Sequence, residues 1–284
     1  MTRWLITGAG GMLGRDLVAT LKGSALKGEV TALTRADLDI TDPAAVRDAV
    51  AGHDVVINAA AWTDVDGAET DEAAATRVNG EAVRVLAQAC VPGRQKLIQV
   101  STDYVFPGDA GEPYRHDSPT APLNAYGRGK LVGEDAVKML LPDSGYVVRT
   151  AWLYGAHGRN FVSTMLKLAE SRDTVEVVDD QRGQPTWTVA LAEQIAALGG
   201  SDAPAGVYHG TASGTATWFD LARAAYELSD LDPERVRPTT SEKFVRPARR
   251  PSYSVLAHDR WDAVGIARQP HWKDQLAQAL KVLA

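Results

Sequence analysis

The sequence predicts an α/β chain: a doubly wound parallel sheet followed by a smaller substrate-binding region. Three observations carry this. Over the first 150 residues short apolar runs alternate with helix-like segments, the pattern of parallel strands covered on both faces. Glycines 8, 11 and 14 lie between the first run and the first helical segment, where a phosphate-binding turn belongs. The fourth run ends in Ser101-Thr102, and open parallel sheets bind ligands beyond the carboxyl ends of their strands. Together they describe a Rossmann-type domain over residues 1–153. Residues 154–284 form mainly the substrate-binding region, some segments of which can interleave with the sheet.

Taken in order, Trp4-Leu5-Ile6-Thr7 reads as a buried strand and Leu13 to Leu21 as a helix. Val30 to Leu33 is a second strand, Ala44 to Val50 a short helix, and Val55 to Asn58 a third strand. A helix from about Glu72 to Ala89 leads to a fourth strand, Leu97 to Ser101, and a loop rich in Pro, Gly and Asp. Another helix starts near Tyr126, and Tyr146 to Arg149 is a further strand. Beyond residue 155 aromatics, Pro and Gly fall at irregular spacing. Val175 to Val178 and Gly206 to His209 look like short strands there, assigned to the smaller region.

The 284 residues suffice for one large domain, or one large and one small. A net charge of −6 spread along the chain argues against non-specific nucleic-acid binding. No apolar run approaches the ~20 residues of a membrane helix. There is no charged segment followed by an apolar stretch at the N-terminus, so no signal peptide is expected. The single cysteine, Cys90, lies in an apolar run and reads as a buried structural thiol, in keeping with a reducing cytoplasm. The six histidines are scattered without metal-ligand spacing.

In the segment Gly8-Ala9-Gly10-Gly11-Met12-Leu13-Gly14, Gly8 permits the tight turn and Gly11 the approach of a pyrophosphate. Gly14 permits close packing of helix on strand. The second strand ends Leu33-Thr34-Arg35. Where an acidic residue would hold the ribose 2′-hydroxyl of NAD, Arg35 suits a 2′-phosphate, so NADPH is expected, with NADH possible. Asp39-Ile40 follow where an adenine could rest. Small residues after the third strand, Ala59, Ala60 and Ala61, leave room for a cofactor to lie across the sheet.

Tyr126 and Lys130 are four apart at a helix start, hence on one face. A nearby ammonium is expected to lower the phenol pKa from its ordinary ~10, and the same lysine can reach ribose hydroxyls. Thr102, at the mouth of the crevice, can hydrogen-bond a carbonyl oxygen. This set reads as a carbonyl reductase: Tyr126 the acid, Lys130 its electrostatic partner, Thr102 the anchor.

These motifs resemble the extended short-chain dehydrogenase/reductases and, within them, the dTDP-4-dehydrorhamnose reductase family. The likeness runs over essentially the whole chain. Its more specific strings are Ser101 to Phe106, Asp180 to Thr186 and Arg250-Pro251. The resemblance implies that Gly11, Met12, Leu13, Thr34, Asp39, Ile40, Ala61, Trp62, Thr63 and Lys130 touch the cofactor. It implies that Thr102, Asp103, Tyr126 and Trp152 touch the sugar, and it places Val105, Asn160, Phe161 and Arg250 with the substrate. The implied reaction is reduction of the C4 ketone of dTDP-4-dehydro-6-deoxy-L-mannose to dTDP-L-rhamnose. Alternatives are a 4-ketoreductase for another dTDP-deoxysugar, as in antibiotic biosynthesis, and a non-catalytic NADP-binding regulatory subunit. A 4,6-dehydratase shares the fold, but dehydratases follow the strand-four Thr with Asp-Glu, and here Tyr104 follows Asp103.

Two departures matter. Some members dimerise around magnesium held by glutamates; the corresponding positions are Asp16 and Val189 here. A cage lacking a ligand holds a hard cation poorly, so no metal is expected, and a monomer or weak homodimer is. Gly129 stands where Ser or Thr is usual, at a helix cost of ~1 kcal/mol.

Overall fold

The computed structural model describes residues 1–23 and 28–283. Six parallel strands form the central sheet: β1 (Thr2–Thr7), β2 (Gly28–Leu33), β3 (Val55–Asn58), β4 (Lys96–Thr102), β5 (Gly145–Thr150) and β10 (Gly206–His209). Their order is β10-β5-β4-β3-β1-β2, so the direction of winding reverses between β1 and β3. Successive side chains point to opposite faces. Trp4, Ile6, Val55, Ile57 and Ile98 pack on one side with Leu13, Leu17 and Leu21 of α1 (Met12–Gly23). Leu5, Val56 and Leu97 pack on the other, against Val46 of α2 (Pro43–Val50) and Leu86 of a later helix.

Helix starts follow local chemistry. At α2, Asp42 accepts from the amides of Ala44 and Ala45 at 2.8 and 3.3 Å, with Pro43 in the first turn. After α3 (Val65–Thr70), the helix expected from Glu72 to Ala89 is a continuous run in three parts. These are α4 (Glu72–Thr76), a π-helical turn over Arg77–Glu81, and α5 (Ala82–Cys90). Helix α6 (Ala125–Leu140) is capped by Asn124, whose side chain accepts from Gly127 N at 2.8 Å. It lies close against the π turn. A Cβ on Gly129 would stand 3.3 Å from Thr76 Oγ1 and 3.5 Å from Asn79 Cβ. The glycine that weakens the helix therefore lets the two helices approach.

The remaining elements build a second layer. They are β6 (Leu153–Tyr154), α7 (Phe161–Ala169), β7 (Val175–Val178), β8 (Arg182–Gly183), β9 (Thr186–Trp187), β11 (Ala216–Thr217), α9 (Trp218–Glu227), β12 (Val236–Thr239) and α11 (Trp272–Leu283). Short strand pairs β6–β9, β8–β11 and β7–β12 tie it together around Tyr154, Val162, Leu221 and Leu276.

One assignment is corrected. Gly206 to His209 is the edge strand of the central sheet, beside β5, and not part of the smaller region. It is reached through α8 (Thr188–Gly200), whose Leu191, Ile195 and Leu198 pack in the same core as Leu13 and Leu17. Trp261 of α10 (Asp259–Ala263) joins that core. An α8 apolar on nearly every side is what a crossover helix needs when both sheet and neighbour cover it. Among the described residues no helix is long and apolar enough to cross a membrane.

Candidate active site

The loops that follow β1 to β5 open into one cleft of about 1180 Å³ at the β1/β3 reversal, where ligands bind in doubly wound sheets. Its size exceeds the ~300–1,000 Å³ typical of small-molecule pockets, leaving room for more than one ligand.

The glycine loop forms its floor. Gly8 is left-handed (φ +69°), and a Cβ there would lie 2.5 Å from Ala60 N. A Cβ on Gly14 would strike the Gly8 carbonyl. Both glycines are thus required by the close approach of the β1 and β3 loops and the start of α1. Thr34 caps the turn after β2, its amide and hydroxyl donating to Asp37 Oδ2 at 2.9 and 2.6 Å. The exposed Arg35 makes no ion pair or hydrogen bond among the described residues and lines the cleft. Asp39, also lining it, is tied to Thr41 by bonds of 2.9 and 2.8 Å, which hold its carboxyl below the usual range.

The β3 loop is fixed from beneath by a buried polar chain across three strands. Thr7 Oγ1 donates to Asn58 Oδ1 at 2.5 Å, and Asn58 Nδ2 donates to Gln99 Oε1 at 2.6 Å. Gln99 Nε2 then donates to the Val100 carbonyl at 2.7 Å. Asn58 Oδ1 also receives Ala60 N at 3.2 Å. Trp62 is pinned on both backbone atoms by Asn79 of the π turn, at 2.9 and 3.0 Å. The π turn, a form that recurs at functional sites, here aims one buried side chain at the cleft wall.

The β4 end and α6 supply the polar centre. Thr102 Oγ1 accepts from Tyr104 N at 3.1 Å and donates to Asp103 Oδ1 at 3.0 Å. Asp103 is 2% exposed, with the hydroxyls of Ser254 and Thr102 beside its carboxyl. Burial raises its carboxyl to about 7. Lys130, 3% exposed, donates to the Val100 carbonyl at 2.6 Å, and burial lowers its pKa to about 8. Tyr126 faces the same space from the first turn of α6. The expectation that Lys130 lowers the Tyr126 pKa does not describe this geometry. Burial, then the Asp103 carboxyl, raise it, and only its contact with the Thr102 hydroxyl opposes them. The lysine's short bond to Val100 holds it toward the strand. Tyr126 is therefore a firmly protonated phenol at neutral pH, the form a proton donor needs.

Beneath this centre, Glu134 lies one turn beyond Lys130. It accepts from Ser101 Oγ at 2.6 Å and from Arg149 Nε and Nη2 at 2.9 and 2.7 Å. Both members of the pair are almost fully buried, so β4, β5 and α6 are locked together directly under Thr102.

An aromatic wall closes the far side. Trp152 has φ +48° and stacks on Trp218 with ring centroids 3.7 Å apart at 8°. A Cβ on Gly183 would sit 2.6 Å from the Trp152 ring.

The cofactor and catalytic residues expected from the sequence all line this cleft, as do Asp103 and Trp152. Four expected substrate residues do not. Val105 is fully buried with Phe106, Tyr114 and Leu256, because the turn after β4 points it into the core. Asn160 is a buried helix cap, accepting from Ser163 N at 2.9 Å and donating to the Gly155 carbonyl at 2.9 Å. Phe161 lies behind the wall, 4.7 Å from Trp218. Arg250 pairs with Asp66 at 3.1 Å and donates to the Ala248 carbonyl at 2.9 Å.

The comparisons agree with this architecture. The model of the "RmlD substrate binding domain" family matches residues 2–284. The chain belongs to this family. A "dTDP-4-dehydrorhamnose reductase" of Streptomyces griseus is 55% identical, covering 99% of this chain and 94% of that protein. A "probable dTDP-4,6-dihydroxy-2-methyloxan-3-one 4-ketoreductase" of Streptomyces antibioticus is 53% identical over 98% of this chain and 94% of that one. Among solved structures, a dTDP-4-dehydrorhamnose reductase of Bacillus anthracis in complex with NADP superposes with TM-score 0.93 at 35% identity, covering 99% of each chain.

Within the RmlD frame, sequence reasoning missed Asn79, Gln99 and Trp218. Gln99 carried a signal: a lone amide inside an otherwise apolar strand, level with Asn58 on the next one. Asn79 and Trp218 had none, since neither breaks the pattern of its helix.

Proposed function

We propose that the protein reduces the C4 ketone of dTDP-4-dehydro-6-deoxy-L-mannose to dTDP-L-rhamnose with NADPH. The observation that carries this reading is the meeting of Tyr126 and Lys130 on α6 with Thr102 at the end of β4, in the cleft floored by the glycine loop. The residues fit the cofactor. The loop would be filled by a Cβ at Gly8 or Gly14, α1 presents its N-terminus there, and the unpaired Arg35 stands where a 2′-phosphate would lie. Bound in that cleft, NADPH supplies a hydride to the ketone carbon. Tyr126 Oη gives its proton to the ketone oxygen as that oxygen becomes an alkoxide, and solvent returns a proton to the phenolate. Thr102 Oγ1 orients the oxygen, and Lys130, tied to the Val100 carbonyl at 2.6 Å, would hold the nicotinamide ribose. The first layer of the chain, mainly residues 1–153 with α8 and β10, is the NADP-binding part, and the second binds the sugar nucleotide. We read the assembly as a monomer or weak homodimer and the location as cytoplasmic, which the buried lone Cys90 suits.

The test is NADPH consumption with the keto-sugar generated in situ and the product identified by chromatography; dTDP-L-rhamnose is expected. Formation of its C4 epimer, or turnover only with another dTDP-keto-sugar, would move the assignment to the second reading, a 4-ketoreductase for a different deoxysugar. The near-equal identity to the Streptomyces antibioticus protein favours keeping that reading in view. Tyr126→Phe is expected to lose ~10²–10⁴ in turnover while still binding NADPH.

A further inference from the structure

The cleft has a second wall that no catalytic or cofactor assignment above uses. Opposite Gly10 and Gly11 it is lined by His157, Gly158 and Arg159, from the turn between β6 and α7. A smaller recess of about 350 Å³ lies between Gly10–Met12 with Arg15 and residues 156–158.

This turn is built. Asn160 Nδ2 donates to the carbonyls of Gly155 and Gly158 at 2.9 and 3.2 Å, closing it into a loop capped onto α7. A Cβ on Gly155 would be 3.4 Å from Met12 Cγ, so the turn begins against the start of α1. His157 Nε2 lies 3.6 Å from Asp16 Oδ1, a second tie to α1. Asp16 is 6% exposed, and its other oxygen has no partner among the described residues. Gly158 is left-handed (φ +110°), and a Cβ there would meet nothing within 4 Å, so its face stays open to a ligand.

Arg159 is the uncommitted cation of this turn; Arg77, a further exposed arginine of the cleft without a partner among the described residues, belongs to the π turn beside Trp62. Arg159 is exposed and makes no ion pair or hydrogen bond among the described residues. Arg15 donates to the Gly10 carbonyl at 3.2 Å and so serves the loop itself. Arg35 sits at the end of β2, where the 2′-phosphate would lie. Backbone amides of a glycine loop bind a pyrophosphate from one side only, leaving its opposite oxygens to water or to a side chain. A guanidinium is the group that matches them.

We propose that the turn Gly155–Asn160 is the second wall of the pyrophosphate site. Arg159 grips the cofactor's pyrophosphate opposite the glycine loop, and the His157–Asp16 pair and Asn160 position the turn. This rests on the NADPH reading above.

Dissociation constants for NADPH, NADH and adenosine 2′-monophosphate, measured by calorimetry on wild type and variants, test it. Arg159→Ala should weaken both dinucleotides by the same factor, roughly ten-fold or more, and leave the monophosphate unchanged. Asn160→Ala should show the same pattern at smaller size. Arg35→Ala should instead weaken NADPH and the monophosphate and spare NADH. Unchanged dinucleotide binding in Arg159→Ala, or a loss confined to NADPH, would overturn the proposal while leaving the cofactor reading standing. A wild-type protein that binds neither dinucleotide would overturn both.

Discussion

Replacing Arg149 with Met tests how much of the active site rests on one buried ion pair. Arg149 is 2% and Glu134 fully buried, with two bonds of 2.9 and 2.7 Å between them. Removing the guanidinium leaves a carboxylate whose one remaining hydrogen bond is from the Ser101 hydroxyl, at 2.6 Å, with the Lys130 ammonium one turn away as its only nearby charge among the described residues. An uncompensated buried charge costs about 3–5 kcal/mol. An independent bound comes from protonation, the escape open to it in the variant. Neutralising an ordinary glutamic acid at pH 7 costs about 4 kcal/mol, from 1.36 kcal/mol per unit over the interval from ~4.3. Loss of the guanidinium from the Phe106 face, 4.7 Å away, adds to this. At ~2–4 °C per kcal/mol for chains of this size, Arg149→Met should melt roughly 10–15 °C lower by circular dichroism. The escape route gives the deficit a pH signature. In the variant the folded state holds the extra proton, so the stability gap to wild type should narrow as pH falls toward 5. Arg149→Met with Glu134→Leu should recover most of the loss, because both charges are then gone. A single variant that loses less than about 1 kcal/mol, or a double variant as unstable as the single, would refute this account.

Gly8→Ala should abolish NADPH binding and lower stability by more than the ~1–2 kcal/mol of a left-handed alanine, since its Cβ would also lie 2.5 Å from Ala60 N; dye-monitored melting and cofactor titration read both. Arg35→Ala should shift the ratio of kcat/KM for NADPH over NADH toward NADH by roughly ten-fold or more. Asp103 has its pKa raised in the fold from 3.8 to about 7. The stability that follows is therefore present below pH ~4 and lost as pH rises to about 7, up to about 4 kcal/mol. Asp103→Asn should gain on wild type in urea denaturation between pH 5 and pH 8, and parallel curves would count against the buried acid.

The strands up to Arg149 were legible because each is a continuous apolar run with a turn signal at both ends. Their register faults are a residue or two at the tips, where hydrogen bonding and not hydrophobicity decides the boundary. Gly206 to His209 was legible as a strand but not as part of the central sheet. Four residues carry no mark of which neighbour they pair with, and the clue lay instead in the all-round apolar α8 before it. The glycine loop, Thr102, Tyr126 and Lys130 could be read because backbone approach and proton chemistry restrict residue type. Asn160 and Arg250 could not be placed so readily. A polar side chain in a family string serves a helix cap or an ion pair as readily as a ligand, and only the fold tells these apart. The pKa of Tyr126 was misjudged for a related reason. Spacing puts Lys130 on the same face of α6, but the direction of its bond, to Val100, is a property of the sheet beneath.

The Tyr126 phenol carries its proton at neutral pH, but burial and Asp103 also make it a weaker acid than a free phenol, so its protonation state alone does not set the direction of the reaction. Burial also places two titrating groups near neutrality, Asp103 at about 7 and Lys130 at about 8. Asp103 is bonded to the third member, Thr102. While ionised it receives the Thr102 hydrogen at 3.0 Å; when it carries a proton it can donate to Thr102 instead, freeing that hydroxyl hydrogen to meet the ketone oxygen. In that state the carboxyl hydrogen points at Thr102 and only the Thr102 and Tyr126 hydrogens remain free to donate, with the Glu134–Arg149 pair holding their two supporting elements in register below.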